Sequence, residues 1–180
     1  MRIIELIAVL GAMTAPAANA AVPQPRTAAV PGFGEIAPVP NAANQPDPSL
    51  RYRVIFPVTK AADAPTKVNP SLDKVARFVN LLASRGVHPA PNDLTVIVSG
   101  PATPLVLSDA AYESRFGAAN PNTALIRELR AAGATVHVCG QALHGQKIAA
   151  DAVSSQVTVD LSAMTTIATL QLKGWALMPE

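Results

Sequence analysis

The sequence is poor in cysteine, in charge and in long apolar runs, and each shortage removes a class of function. One cysteine in 180 residues excludes an intramolecular disulfide framework and any zinc site built from several thiolates. Charged residues make up 14% of the chain, against about 25% in ordinary soluble domains. With 14 Lys plus Arg against 12 Asp plus Glu, the net charge is +2. That is too small for an electrostatic nucleic-acid surface, and no basic cluster exceeds isolated pairs. No apolar run reaches the roughly 20 residues that a membrane-spanning helix needs. The apolar share of 49% in turn excludes global disorder.

Several familiar site signatures are also missing. Gly32-Phe33-Gly34 lacks the third glycine, the preceding strand and the following helix of a dinucleotide fingerprint. Ser99-Gly100-Pro101 lacks the flanking glycine of a nucleophile elbow, and chain order suggests no acid–histidine pair for it. Asp109, Glu113, Asp151 and Asp160 are scattered, so spacing makes no case for paired carboxylates. The His and Cys spacings match no metal site of known geometry, and no cofactor is implied.

What is present begins with a targeting segment. Arg2, the mostly apolar run from Ile3 to Ala12 and the small-x-small site Ala18-Asn19-Ala20 have the plan of a secretory signal. Cleavage after Ala20 is expected, which makes the mature protein periplasmic or secreted. Residues 21–50 form a Pro-rich N-terminal extension that holds seven of the 17 prolines. Proline fixes φ and removes backbone donors, so neither helix nor central strand fits there. A disordered or polyproline-like tether is expected, with Phe33 and Ile36 able to pin residues 33–50 to the domain or to a neighbouring subunit.

Residues 51–180 carry alternating strand and helix patterns. Tyr52 to Val58 reads as a first strand, with pairing expected to stop near Pro57. Asn69-Pro70 marks a helix start, and Leu72, Val75, Ala76, Val79 and Leu82 follow at helical spacing. Leu94 to Val98 is a second strand. A long segment, 101–119, precedes Asn120-Pro121, which reads as a second helix start. Ala134 to Val138 is a third strand, and Val157 to Val159 a fourth. Ser162 caps a helix over 163–173, with Met164 and Leu170 read as core. Trp175 to Met178 is the fifth strand, with Trp175 and Leu177 in the core or at a subunit interface. This alternation predicts an α/β domain with a parallel sheet covered on both faces.

Ligand sites in such sheets lie beyond the carboxyl ends of the strands. Thr59, Lys60, Ser99, Gly100, Cys139, Gln141 and Ser162 emerge there. Cys139 is the most informative of them. It ends a strand and precedes a segment able to start a helix, whose free N–H groups and dipole favour a thiolate. Lys60 adds a positive charge if its strand is adjacent. A low-pKa thiol suits attack on sulfur or carriage of a persulfide. The other reading is a buried small hydrophobe, common for a free cysteine. His137 lies on the same sheet face, about 7 Å along the strand, and reads as a packed, hydrogen-bonded histidine. His144 and His88 read as surface and loop residues.

The stretches Val54-Ile-Phe-Pro-Val-Thr-Lys60, Val96-Ile-Val-Ser-Gly-Pro-Ala102, Val138-Cys-Gly-Gln-Ala-Leu143 and Leu170-Gln-Leu-Lys-Gly-Trp175 carry a resemblance. From Tyr52 to Pro179 the chain resembles the DsrE/DsrF-like family of sulfur-relay and related proteins, in particular its exported bacterial members. The resemblance implies a three-layer α/β/α fold with a five-stranded, mostly parallel sheet. It implies a homo-oligomer, often a trimer or hexamer. It implies that Cys139 matches the characteristic cysteine that carries persulfide sulfur in relay members. Ser99 stands where many relatives have a histidine. The expected function is binding or transfer of sulfane sulfur through Cys139, with Lys60, Ser99, Gly100, Gln141 and Ser162 around a small sulfur-containing ligand. The alternative is a non-catalytic ligand-binding or structural oligomer.

Overall fold

The computed structural model describes residues 28–180. The signal segment, its cleavage site after Ala20 and the first two prolines of the extension lie outside the described residues. Five strands form one sheet: β1 (Val54–Val58), β2 (Leu94–Val98), β3 (Thr135–Cys139), β4 (Thr158–Asp160) and β5 (Ala176–Leu177). Their order is β4-β3-β2-β1-β5 and every pair is parallel. The helices are α1 (Pro70–Ser84), α2 (Asp109–Phe116), α3 (Thr123–Ala131), α4 (Gly140–Gly145) and α5 (Ala163–Leu172). A 3-10 segment, Gly100–Val106, and α2 take up much of the long connection that follows β2.

The order of the strands explains which helix covers which face. Parallel crossovers are right-handed, so steps in one direction put their helices on one face of a sheet. The chain steps one way from β1 to β4, then reverses across the whole sheet to β5. The first face packs Val54, Phe56, Val96, Val98, Val136 and Val138 against α1 and α3, through Leu72, Val75, Val79, Leu125, Ile126 and Leu129. The buried apolar residues of the second face are Ile55, Ile97 and Cys139 with Ala163, beneath the partly buried Ile167, Leu170 and Trp175. The three layers are therefore unequal. A ten-residue helix is about 15 Å long, and four strand spacings are about 19 Å, so α5 alone cannot cover this face.

The uncharged α5 is consequently wet on much of its surface. Ala163 is its one buried residue. Met164 is 78% exposed and Leu172 90%, which corrects the expectation that Met164 is core. Leu170 and Trp175 do pack on the second face, while Leu177 is exposed.

Local signals act as expected at α1. The Asn69 side chain accepts from the Ser71 and Leu72 N–H groups, and Pro70 occupies the first helical position. Asn120 behaves differently. Helix α3 begins at Thr123, and the Asn120 amide is drawn inward to donate to the Leu105 and Leu107 carbonyls, both at 2.9 Å. Those carbonyls sit at the end of the 3-10 segment, and buried backbone acceptors must be satisfied. Tertiary need thus overrides the capping preference. Pro57 stays in register with Ile97 of β2, so pairing with β2 continues past it. Alternation turns its missing N–H toward β5, whose last hydrogen bond is Met178 N–H to Ile55 O.

Residues 30–35 of the extension lie on α1 rather than free. Val30 is fully buried, and its N–H donates to Asn80 Oδ1 at 2.8 Å. The Asn80 amide donates back to the Phe33 and Gly34 carbonyls. Gly34 has φ +59° and passes so close to α1 that a Cβ there would lie 2.1 Å from Arg77 N. Only glycine meets both conditions. Phe33 is partly buried against the core, as expected, but the principal pins are Val30 and Asn80.

Candidate functional site at the end of β3

Cys139 is the last residue of β3, and α4 starts at the next residue. The reversal that carries the chain from β4 to α5 brings a second helix start to the same place, because β4 is the neighbour of β3. Ser162 caps α5, its Oγ accepting from Met164 N–H at 3.3 Å. Cys139 is 6% exposed. Burial pushes the thiol pKa up, but the nearby Ala163, Ala142 and Gln141 N–H groups and the Ser162 hydroxyl together hold it below its usual value. Stabilisation of an anion by converging backbone donors is the physical basis.

A glycine makes this convergence possible. A Cβ on Gly140 would lie 2.7 Å from the Asp160 carbonyl oxygen and 3.4 Å from that of Leu161. The β4–α5 connection therefore rides directly over the first residue of α4. The Gln141 amide donates to Leu161 O at 3.3 Å, so this exposed side chain braces the connection.

Below the thiol, on the same face of β3, His137 Nδ1 lies 3.0 and 3.1 Å from the two Asp160 carboxylate oxygens. Thr166 Oγ1 donates to Asp160 Oδ2 at 2.7 Å. His137 is thus a packed, hydrogen-bonded residue, as expected. Its acidic partner was missed because 23 residues separate the two and only strand order brings them together.

The other expected site residues divide. Ser99 is the first residue past β2, one beyond the Val98–Val138 pair, at the same level of the sheet as Cys139. Gly100 adopts φ +56°, and its carbonyl accepts from Thr103 Oγ1 and Gln146 Nε2. It shapes the turn. Lys60 is not part of the group. Strand β2 separates β1 from β3, and the Lys60 side chain is exposed. Its backbone N–H instead donates to Glu180 Oε1 at 3.2 Å. Thr59 is likewise engaged by Glu180, through its N–H and its hydroxyl, so it does not open toward Ser99 and Ser162 as a polar pocket would need. His144 and His88 are exposed. Among the described residues, no group of three His, Cys, Asp or Glu could hold a metal ion, and no helix is long and apolar enough to cross a membrane.

The fold has a counterpart among solved structures. The chain is similar to a protein of unknown function from Methanobacterium thermoautotrophicum, with 18% identity and a TM-score of 0.53, covering 71% of this chain and 97% of that one. At this identity the likeness concerns the fold alone. No curated protein matches. Residues 53–179 match the family model described as the DsrE/DsrF-like family. That span takes in the whole sheet, the thiol at the end of β3 and both helix starts that face it, and the chain belongs to the DsrE/DsrF-like family.

Proposed function

We propose that the protein carries sulfane sulfur as a persulfide on Cys139. The observation that carries this reading is the placement of Cys139 between two helix starts, immediately before the first residue of α4 and packed with Ala163 of α5, where nearby N–H groups and the Ser162 hydroxyl lower the thiol pKa. Membership of the DsrE/DsrF-like family, which suggests sulfur relay at the family level, supports it. The step needs no oxidant. The Cys139 thiolate attacks the sulfane sulfur of a polysulfide; the new S–S bond forms as the donor's S–S bond breaks, and the electron pair leaves with the departing thiolate or hydrosulfide. Attack by an acceptor thiolate on the outer sulfur returns the Cys139 thiolate. Ser162 and the backbone donors stabilise the thiolate at both stages. Ser99 stands just past β2 at the level of Cys139, and Gln141 keeps the α5 connection in place.

Intact-mass analysis after polysulfide treatment tests this. A mass gain of about 32 Da, one sulfur atom, is expected on the wild type and not on Cys139→Ala. No gain, or an equal gain on the variant, overturns the reading.

The 6% exposure of Cys139 favours a second reading, a non-catalytic protein in which the thiol is structural. A thiol titrating at or above about 8.5, the free value, with slow alkylation, selects this alternative.

The same reading includes a periplasmic or secreted, homo-oligomeric protein, a trimer or hexamer. The signal-like plan of residues 1–20 supports export. The wet apolar residues Leu161, Met164 and Leu172, 75%, 78% and 90% exposed, support self-association across the thinly covered second face. Sedimentation tests the assembly. Leu161→Asp with Met164→Asp is expected to yield monomers, and an unchanged mass argues against this face.

A further inference from the structure

The groups that surround Cys139 reach it by two routes, and chain connectivity secures only one. Gln141 and Ala142 follow the thiol directly in α4. Ser162 and Ala163 come from the start of α5, beyond β4. Apolar packing holds that helix weakly, since Ala163 is its one buried residue. A polar chain supplies the rest. Thr166, on the first turns of α5, donates to Asp160 Oδ2 at 2.7 Å. Asp160 ends β4, and its oxygens lie 3.0 and 3.1 Å from Nδ1 of His137 on β3.

We propose that Asp160 is a positioning residue: it links His137 of β3 to Thr166 of α5 and so seats the start of α5 on Cys139. The inference rests on the reading of Cys139 as a reactive thiol. Three features make Asp160 suited to the task. It spans the two-residue connection Leu161-Ser162 as a brace, tying strand end to helix. It is sheltered, with side-chain exposures of 21% for His137 and 16% for Asp160, and shielded hydrogen bonds to a carboxylate are stronger than exposed ones. Its charge is engaged by the imidazole and the hydroxyl, which limits repulsion of a thiolate on the neighbouring strand. Helix α5 brings no charged side chain of its own, and His144 of α4 is exposed. His137 and Asp160 are therefore the ionisable pair on this face of β3 and β4, and neither touches the reacting sulfur.

The test is the pH profile of Cys139 alkylation by iodoacetamide in the full chain. Four proteins are compared: wild type, Asp160→Ala, Thr166→Val and Thr166→Ser. The wild type is expected to react with a midpoint below about 8.5, the free-thiol value. Asp160→Ala and Thr166→Val are expected to move the midpoint up by about one pH unit, or about tenfold in rate at a fixed pH below both midpoints. Thr166→Ser keeps the hydroxyl and is expected to restore the wild-type profile, which a merely structural effect of losing side-chain volume does not predict. If the wild-type midpoint is low and Thr166→Val coincides with it, the positioning role is overturned while the thiol reading stands. A wild-type midpoint at the free value overturns the thiol reading, and the positioning role with it. If circular dichroism shows that Asp160→Ala does not fold, the two Thr166 variants decide.

Discussion

Cys139 and Asp160 are register partners across β3 and β4, yet the Asp160 carboxylate is bound to His137 and Thr166. The thiol and the carboxylate thus sit side by side with different surroundings. The thiol lies among helix-start N–H groups and the Ser162 hydroxyl, and the carboxylate takes an imidazole and a hydroxyl. The predictions below probe the contacts that keep the two sets apart and the shell that supports them.

Gly140→Ala places a methyl 2.7 Å from the Asp160 carbonyl oxygen. The obstacle is backbone, so the connection to α5 has to move. A loss of about 2–3 kcal/mol is expected in urea denaturation, in the range of overpacked interiors. The alkylation midpoint of Cys139 is expected to rise with it. An alanine variant of wild-type stability and reactivity contradicts the close approach.

Ser162→Ala removes one hydroxyl with two duties, the cap of α5 and a share in lowering the thiol pKa. Loss of a cap costs about 1 kcal/mol. The thiol loses one of the groups that lower its pKa, so slower alkylation at neutral pH is expected. Thr at this position keeps the hydroxyl and is expected to recover both.

Asn80→Ala unpins the extension. The side chain receives Val30 N–H and donates to three carbonyls of the extension from a site 3% exposed. Its loss leaves several backbone groups without partners, at a cost of about 2–3 kcal/mol. Limited proteolysis is expected to cut near residues 28–36 in the variant well before the wild type. Equal cleavage rates count against the pin.

Glu180 makes a pH prediction. Burial pushes its carboxyl pKa up, but the Thr59 and Ser71 hydroxyls and the Thr59 and Lys60 N–H groups prevail and bring it from 4.5 down to about 2. A depressed folded pKa stabilises the protein above the unfolded value and stops doing so as pH falls through the folded one. The contribution is therefore full above about 4.5 and is lost toward pH 2. Partial exposure reduces it to about 1–2 kcal/mol. Glu180→Gln is expected to be less stable than wild type by that amount at pH 7, with the gap closing as pH approaches 2. A gap independent of pH argues against the carboxylate.

Much of this could be read from the chain, and the rest for definite reasons could not. The five strands, the Asn69 cap, the Ser162 cap and the strand-end cysteine are local patterns, and local patterns are visible in sequence. Strand order is not local. It separates Lys60 from the thiol by inserting β2, and it joins His137 to Asp160 by setting β4 beside β3. Asn120 carries the same cap-like dipeptide as Asn69, but two carbonyls elsewhere claim its amide. Met164 has a core residue's hydrophobicity on a helix whose outer side none of the described elements covers. The Asn80 clamp left no signal, because its partners are backbone atoms of a segment without periodicity.

The late reversal from β4 to β5 has a consequence for how the chain acquires reactivity during synthesis. Strands β1 to β3 and α4 are complete by residue 145, but Ser162 and Ala163 follow 23 and 24 residues after Cys139. Until that stretch has emerged and docked, the sulfur lacks the Ser162 and Ala163 groups that help to lower its pKa. On the proposed persulfide role, the nucleophile is completed only by the final steps of folding, so an incomplete chain would carry a comparatively quiet thiol past every oxidant it meets on the way.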